Sequence, residues 1–418
     1  MRVIVTTDTA AVETLFERRD HVDVRKRRLV RAIVADVRAR GDAALRRYAY
    51  RFDGLGGSAR AAASAPLELP MDEVRACAST VPRRLAKAIV TAARHIRLVA
   101  ASQVPATRTT VVAPGVRVTN RVTPLARVGC YAPGGRYPLP STILMTAIPA
   151  RVAGVAEVYA VCPKPTPAVC AAAVEAGVAR LFRIGGAHAI AALAYGTESV
   201  PRVDKIVGPG NAYVATAKTL VAADCPIDFN AGPSEILVVA TRGPARWIAA
   251  DLIAQAEHDV DARAILVTTS AALARRVVRE LEAATPADGP AREALRRHGT
   301  IVVARSRQEA IAFANRAAPE HLVCDDEVVA DAITAAGAVF VGRWSAQVAG
   351  DYATGSNHVL PTNGAARFRG GLSAADFVRV SSVQRITEAG LRRLAPTILT
   401  LAEAEGLAAH AESIRVRL

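Results

Sequence analysis

Short valine-rich strands alternate with helices through the middle of this chain, and that rhythm limits its fold more than any other feature. Strands are expected over 127–131, 157–161, 180–184 and 205–207, each followed by a helix, over 141–152, 168–176, 187–195 and 212–220. Repeated strand–helix–strand units build a mostly parallel sheet. A second series follows the turn Ala231-Gly232-Pro233, with strands over 236–240, 264–268, 300–303 and 338–341. Ahead of both lie helical patterns over 24–40 and 81–101, then a β-hairpin over 108–122 turning at Ala113-Pro114-Gly115. The tail from about residue 374 reads as predominantly helical. A chain of 418 residues exceeds one ordinary core. The expected fold is therefore α/β, with two doubly wound, Rossmann-like domains and helical N- and C-terminal extensions.

Charge and apolar content remove several function classes. No run of about 18 uncharged apolar residues occurs, so no membrane span is expected. The start, Met1 to Asp8, lacks the apolar core of a secretory signal. A net charge of +15 invites a nucleic-acid reading. Against it, lysine occurs only at Lys26, Lys87, Lys164, Lys205 and Lys218, and the arginines are dispersed. The densest basic run, Arg25-Lys26-Arg27-Arg28, falls in a helical pattern, and aromatics at 4% leave few stacking platforms. Arginine-for-lysine usage with abundant alanine and valine fits a GC-rich coding bias. The six cysteines form no C-x-x-C pair, which fits reduced thiols in a cytoplasmic protein.

Four of the eight histidines lie in short polar motifs. In Ala318-Pro319-Glu320-His321-Leu322 a carboxylate adjoins an imidazole, two proton acceptors suited to a reaction that removes protons in two steps. Gln255 and His258 stand three apart in Gln255-Ala256-Glu257-His258 and would share one helix face. With Asp351 and a further imidazole such as His410 they make a ligand set of nitrogen and oxygen, suited to Zn²⁺ and acceptable to Mn²⁺ or Co²⁺. Tyr131-Ala132-Pro133-Gly134-Gly135-Arg136, Ile184-Gly185-Gly186-Ala187-His188 and Val207-Gly208-Pro209-Gly210-Asn211 each sit between a strand and a helix. Three such loops at the carboxyl ends of parallel strands would form one ligand crevice. None matches G-x-G-x-x-G, since Tyr213 stands at the third glycine. Cys130, beside the first loop, reads as a packing residue. His21, His95 and His298 lie in arginine-rich helical stretches and take no role.

Taken together and in order, these motifs resemble those of the histidinol dehydrogenase family. They are Tyr131-Ala132-Pro133-Gly134-Gly135, Ala231-Gly232-Pro233-Ser234-Glu235, Gln255-Ala256-Glu257-His258, Ala318-Pro319-Glu320-His321, Gly350-Asp351-Tyr352, Asn357-His358-Val359-Leu360-Pro361-Thr362 and Glu405 to His410. The resemblance implies oxidation of L-histidinol to L-histidine through the aldehyde, with two NAD⁺ and one water. It implies an aldehyde-dehydrogenase-like pair of domains: a first from 26–128 with 235–373, carrying metal and acid–base residues, and an NAD-binding second at 129–234. Residues 1–25 would be an extension. The segment 374–418 would reach the partner's site in a homodimer. Glu320 and His321 would be catalytic, with Glu320 activating water and His321 the general base. Gln255, His258, Asp351 and His410 would hold zinc. Ser234, Gln255, His258, His321, Asp351, His358, Glu405 and His410 would meet substrate, and Tyr131, His188 and Asn211 would meet NAD. His188 departs from the family's usual Gln. The alternative is a relative that oxidises another small amino or polyhydroxy alcohol with NAD.

Overall fold

The computed structural model describes residues 1–16, 24–134, 139–230 and 232–418; His21, Gly135, Arg136 and Ala231 lie outside the described residues. The second α/β series forms a six-stranded sheet in the order Arg2–Val5, Thr300–Val303, Arg263–Thr268, Glu235–Val239, His321–Cys324, Ala338–Val341. All its pairings are parallel. From Glu235–Val239 the chain winds outward through Arg263–Thr268 to Thr300–Val303, then returns to add His321–Cys324 on the other side. That reversal is the doubly wound arrangement, and the expected fold class holds.

The first series forms a five-stranded sheet, ordered Glu68–Leu69, Arg180–Phe182, Glu157–Val161, Arg127–Tyr131, Lys205–Val207. Only the Glu68–Leu69 pairing is antiparallel. Here the reversal falls between Arg127–Tyr131 and Lys205–Val207. Strands buried on both faces explain the near-continuous apolar runs; Glu235–Val239 is buried along its whole length. The expected hairpin is present as Arg108–Ala113 and Val116–Pro124. A third strand joins it, Val378–Ile386, in a region read as helical. Its polar, period-two sequence carries little apolar signal, and its partner is remote in sequence. The helices Glu388–Ala404 and Ala408–Arg415 follow as expected.

The N-terminal region packs differently from the expected grouping of 26–128 with 235–373. Val30, Val37 and Leu45 of helix Val24–Tyr48 share a core with Phe182, Ile190 and Leu193. Ile89 and Ile96 of helix Arg83–Gln103 pack with Ile143 and Ile148. Both helices therefore cover the five-stranded sheet. An amphipathic helix needs only an uncovered apolar face, and nothing in its local sequence says which sheet supplies it. Strand Arg2–Val5, by contrast, extends the six-stranded sheet beside Thr300–Val303. Among the described residues no helix is long and apolar enough to cross a membrane.

Candidate active site

Helix Arg307–Ala317 stops at Ala318, which adopts a left-handed conformation (φ 46°) ahead of Pro319. Proline bars the preceding residue from continuing a right-handed helix. The turn delivers Glu320 and His321 to the amino end of strand His321–Cys324, where both are buried. Glu320 Oε2 accepts a hydrogen bond from the Glu235 amide at 2.7 Å. His321 Nδ1 stands 3.1 Å from Glu235 O. A carbonyl oxygen only accepts, so Nδ1 carries a hydrogen and Nε2 is the nitrogen turned toward Asp351. Nε2 has no hydrogen-bond partner; Asp351 Oδ1 stands at 3.6 Å. Burial disfavours charge on this imidazole, but Asp351 and Glu320 outweigh it and push His321 up to about 10. To serve as a base near neutral pH, His321 needs one of those carboxylate charges offset.

Asp351 lies on the short helix Gln347–Tyr352, whose buried face is Gln347, Gly350 and Asp351. A Cβ on Gly350 would stand 2.7 Å from the Phe340 ring, so only glycine lets this helix approach. That ring stacks against His321, with centroids 6.2 Å apart. The Gly-Asp pairing of the motif is thus a packing requirement for placing Asp351 beside His321. Burial raises the Asp351 carboxyl, yet His321, then His358 and His258, bring it below its usual value. His358, part-buried, donates from Nδ1 to Asp351 O at 3.2 Å. Burial holds its imidazole below the usual value against the pull of Asp351.

Gln255 lies on helix Ala245–Ala256, which packs against helix Gln347–Tyr352. It is 1% exposed, and neither its amide oxygen nor its nitrogen has a partner among the described residues. A buried amide left without partners costs free energy, so a native ligand for it is expected. His258, exposed past the helix end, stands near enough to act on Asp351. An amide oxygen, an imidazole and a carboxylate fit one divalent cation. Among the described residues no group of three or more His, Cys, Asp or Glu side chains converges to hold a metal. His410, exposed on helix Ala408–Arg415, therefore does not join His258 and Asp351 within one chain. Glu405 is exposed at the end of helix Glu388–Ala404, and Ser234 is part-buried next to Glu235.

The glycine loops meet at the carboxyl end of the five-stranded sheet, where its strand order reverses. Gly186 N donates to Tyr131 Oη at 3.0 Å. Gly208 (φ 114°) lies so close that a Cβ would stand 2.2 Å from Tyr131 O. Asn211 caps helix Ala212–Val221 through Oδ1, accepting from the amides of Tyr213 and Val214. His188, 1% exposed, bonds Asp53 Oδ2 at 2.8 Å, and the same oxygen accepts from Gly185 N at 3.0 Å. Cys130 is fully buried and burial pushes its thiol up to about 12, which suits packing and not nucleophilic attack.

Several contributing residues escaped the sequence reading. Asp228 accepts from Gly208 N at 2.7 Å and pairs with Lys218, which in turn donates to Gly208 O at 2.9 Å. Lys218 is one of only five lysines and lies in an otherwise apolar helix, a signal that could have marked it. Asp53 carries no local signal. Glu235 sat inside a quoted motif and took no role.

Known proteins of similar sequence and structure match along the chain. The sequence profile of the histidinol dehydrogenase family covers residues 17–418. A histidinol dehydrogenase of Geobacter sulfurreducens is 46% identical over 397 residues, spanning 92% of each chain. One of Gluconobacter oxydans is 47% identical over 405 residues, spanning 93% of this chain and 92% of its own. The crystal structure of histidinol dehydrogenase from Elizabethkingia anophelis superposes with a TM-score of 0.92 at 35% identity, covering 100% of this chain and 98% of the other.

Proposed function

The chain belongs to the histidinol dehydrogenase family of oxidoreductases, and from that premise we propose that it oxidises L-histidinol to L-histidine through the aldehyde, taking its substrate in a zinc-anchored site. The observation that carries this reading is the convergence of Glu320, His321 and Asp351 in one buried cluster, beside which packs the helix that carries the unpartnered Gln255 amide. When bound, NAD⁺ supplies a hydride acceptor, and a divalent cation supplies an anchor for the substrate's nitrogens. Gln255, His258 and Asp351 would hold the cation, with His410 from a second copy of the chain as fourth ligand. Tyr131, His188 and Asn211 line the loops that would receive the dinucleotide.

The chain's own groups divide the proton work. Hydride leaves an alcohol carbon only as the hydroxyl proton departs, and His321 Nε2, with its tautomer fixed by Glu235 O, is the acceptor. A cation held by Asp351 would offset one of the two carboxylate charges that face His321. The aldehyde must then add water, and Glu320 accepts that water's proton. Ser234, His358 and Glu405 would orient the substrate, Glu405 across a homodimer boundary. Six unpaired cysteines are consistent with a cytoplasmic setting.

The test is an assay of the purified protein with L-histidinol and NAD⁺, with and without chelator. The expected result is two NADH per histidinol, loss on chelation, and recovery with Zn²⁺, Mn²⁺ or Co²⁺. Turnover of a different amino alcohol with no turnover of histidinol would sink the substrate assignment.

A further inference from the structure

Glu235 touches both members of the acid–base pair, and nothing in the reaction described above uses its side chain. Its amide donates to Glu320 Oε2 at 2.7 Å, and its carbonyl accepts from His321 Nδ1 at 3.1 Å. One residue on strand Glu235–Val239 therefore fixes the carboxylate of one neighbour and the tautomer of the other. Its own carboxyl is 7% exposed and poorly satisfied. Asn363 N reaches Oε1 at 3.3 Å, and the Arg263 guanidinium stays 3.8 Å away.

We infer that Glu235 is a positioning residue for the acid–base pair: its side chain anchors the strand end whose main chain braces Glu320 and His321. This inference rests on the roles of Glu320 and His321 proposed above. Asn363 N donates to Oε1, so the side chain ties the start of strand Glu235–Val239 to the turn that holds Asn363. Burial, with Glu320 adding to it, pushes Glu235 up to about 7, and Arg263 only partly opposes this. The other charged groups facing Glu235 are already engaged. Arg316 and Arg367 line the same cavity of about 80 Å³ beside it. Arg316 pairs with Glu13, and Arg367 donates to Arg316 O. The working atom of the anchor is therefore Oε1 as an acceptor, which a neutral amide also supplies.

Replacing Glu235 tests this directly. Glu235→Gln keeps a neutral group of the same shape with an acceptor oxygen, so turnover should stay within about threefold of the parent. Glu235→Leu removes the acceptor and frees the local backbone; kcat should fall on the order of 10²-fold, the cost of a roughly 1 Å misplacement, with the KM for histidinol little changed. A crystal structure of Glu235→Leu should show the Glu320 carboxylate displaced from the residue-235 amide. That readout holds even if histidinol is not the substrate, so failure of the substrate assignment stays separate. Equal impairment of Gln and Leu variants, or a Leu variant with parental kcat and an unmoved Glu320, overturns the inference.

Discussion

His321 Nε2 stands 3.6 Å from Asp351 Oδ1 and has no hydrogen-bond partner, so one imidazole nitrogen is held free beside the residue proposed to bind a cation. The opposite nitrogen is spent on Glu235 O. This asymmetry would assign the two proposed proton transfers to different residues. His321 faces Asp351, and Glu320 is fixed by a neighbouring strand.

That separation predicts unequal effects on the two half-reactions. Glu320→Gln should slow aldehyde oxidation by roughly 10²–10⁴-fold, while alcohol oxidation suffers less, because only the second step needs a deprotonated water. Feeding the aldehyde directly and comparing its rate with histidinol oxidation checks this. Equal loss in both half-reactions would falsify the division of labour.

Gly208 offers a test of the glycine-loop crevice. Its φ of 114° and the 2.2 Å approach to Tyr131 O exclude any side chain without backbone movement. Gly208→Ala should push apart the loops after Arg127–Tyr131 and Lys205–Val207. The expected outcome is a KM for NAD⁺ raised by about tenfold or more, since misplaced contacts weaken binding by at least 1.4 kcal/mol. An unchanged KM would mean that the dinucleotide does not depend on this junction.

Much of this fold was legible because apolar periodicity reports local structure. The strands Arg127–Tyr131, Glu157–Val161 and Thr300–Val303 lie where the valine runs place them. Strand His321–Cys324 was hidden, since four residues behind a proline look like a loop until two parallel neighbours flank them. Arg2–Val5 and Val378–Ile386 were missed for the same reason: each is defined by a partner remote in sequence. In the site, Glu320, His321 and Asp351 were readable as chemistry-bearing types in short motifs. Glu235 was not, because its two contacts to the pair come from main-chain atoms that any residue possesses. The Asp53–His188 contact depends on helix Val24–Tyr48 and the turn after it reaching the five-stranded sheet, which no local pattern encodes.

Gln255 should show stability and metal binding moving in opposite directions. Its amide is buried with both polar atoms unpartnered, a defect worth about 1–3 kcal/mol when nothing binds there. Gln255→Leu removes the polar group at similar volume. Metal-free protein carrying it should melt no lower than the parent, and it should lose bound zinc by elemental analysis after dialysis. Melting well below the metal-free parent would show that the amide has a structural partner, and retained stoichiometric zinc would remove it from the ligand set.

Glu235 predicts a pH dependence of stability with a definite sign. Its carboxyl rises from 4.5 to about 7 on folding, so the folded state binds more protons than the unfolded chain between those values. The protonated acid therefore supports the fold fully below about pH 4.5, and this contribution is lost as pH climbs through about 7. Glu235→Gln cannot ionise and lacks that loss. Melting temperatures of parent and variant, measured from pH 4.5 to 8, should move apart in the variant's favour as pH rises. Titrating groups remote from residue 235 are shared by the two proteins and cancel in the difference. A difference that stays flat across this range would mean that folding does not raise the Glu235 carboxyl.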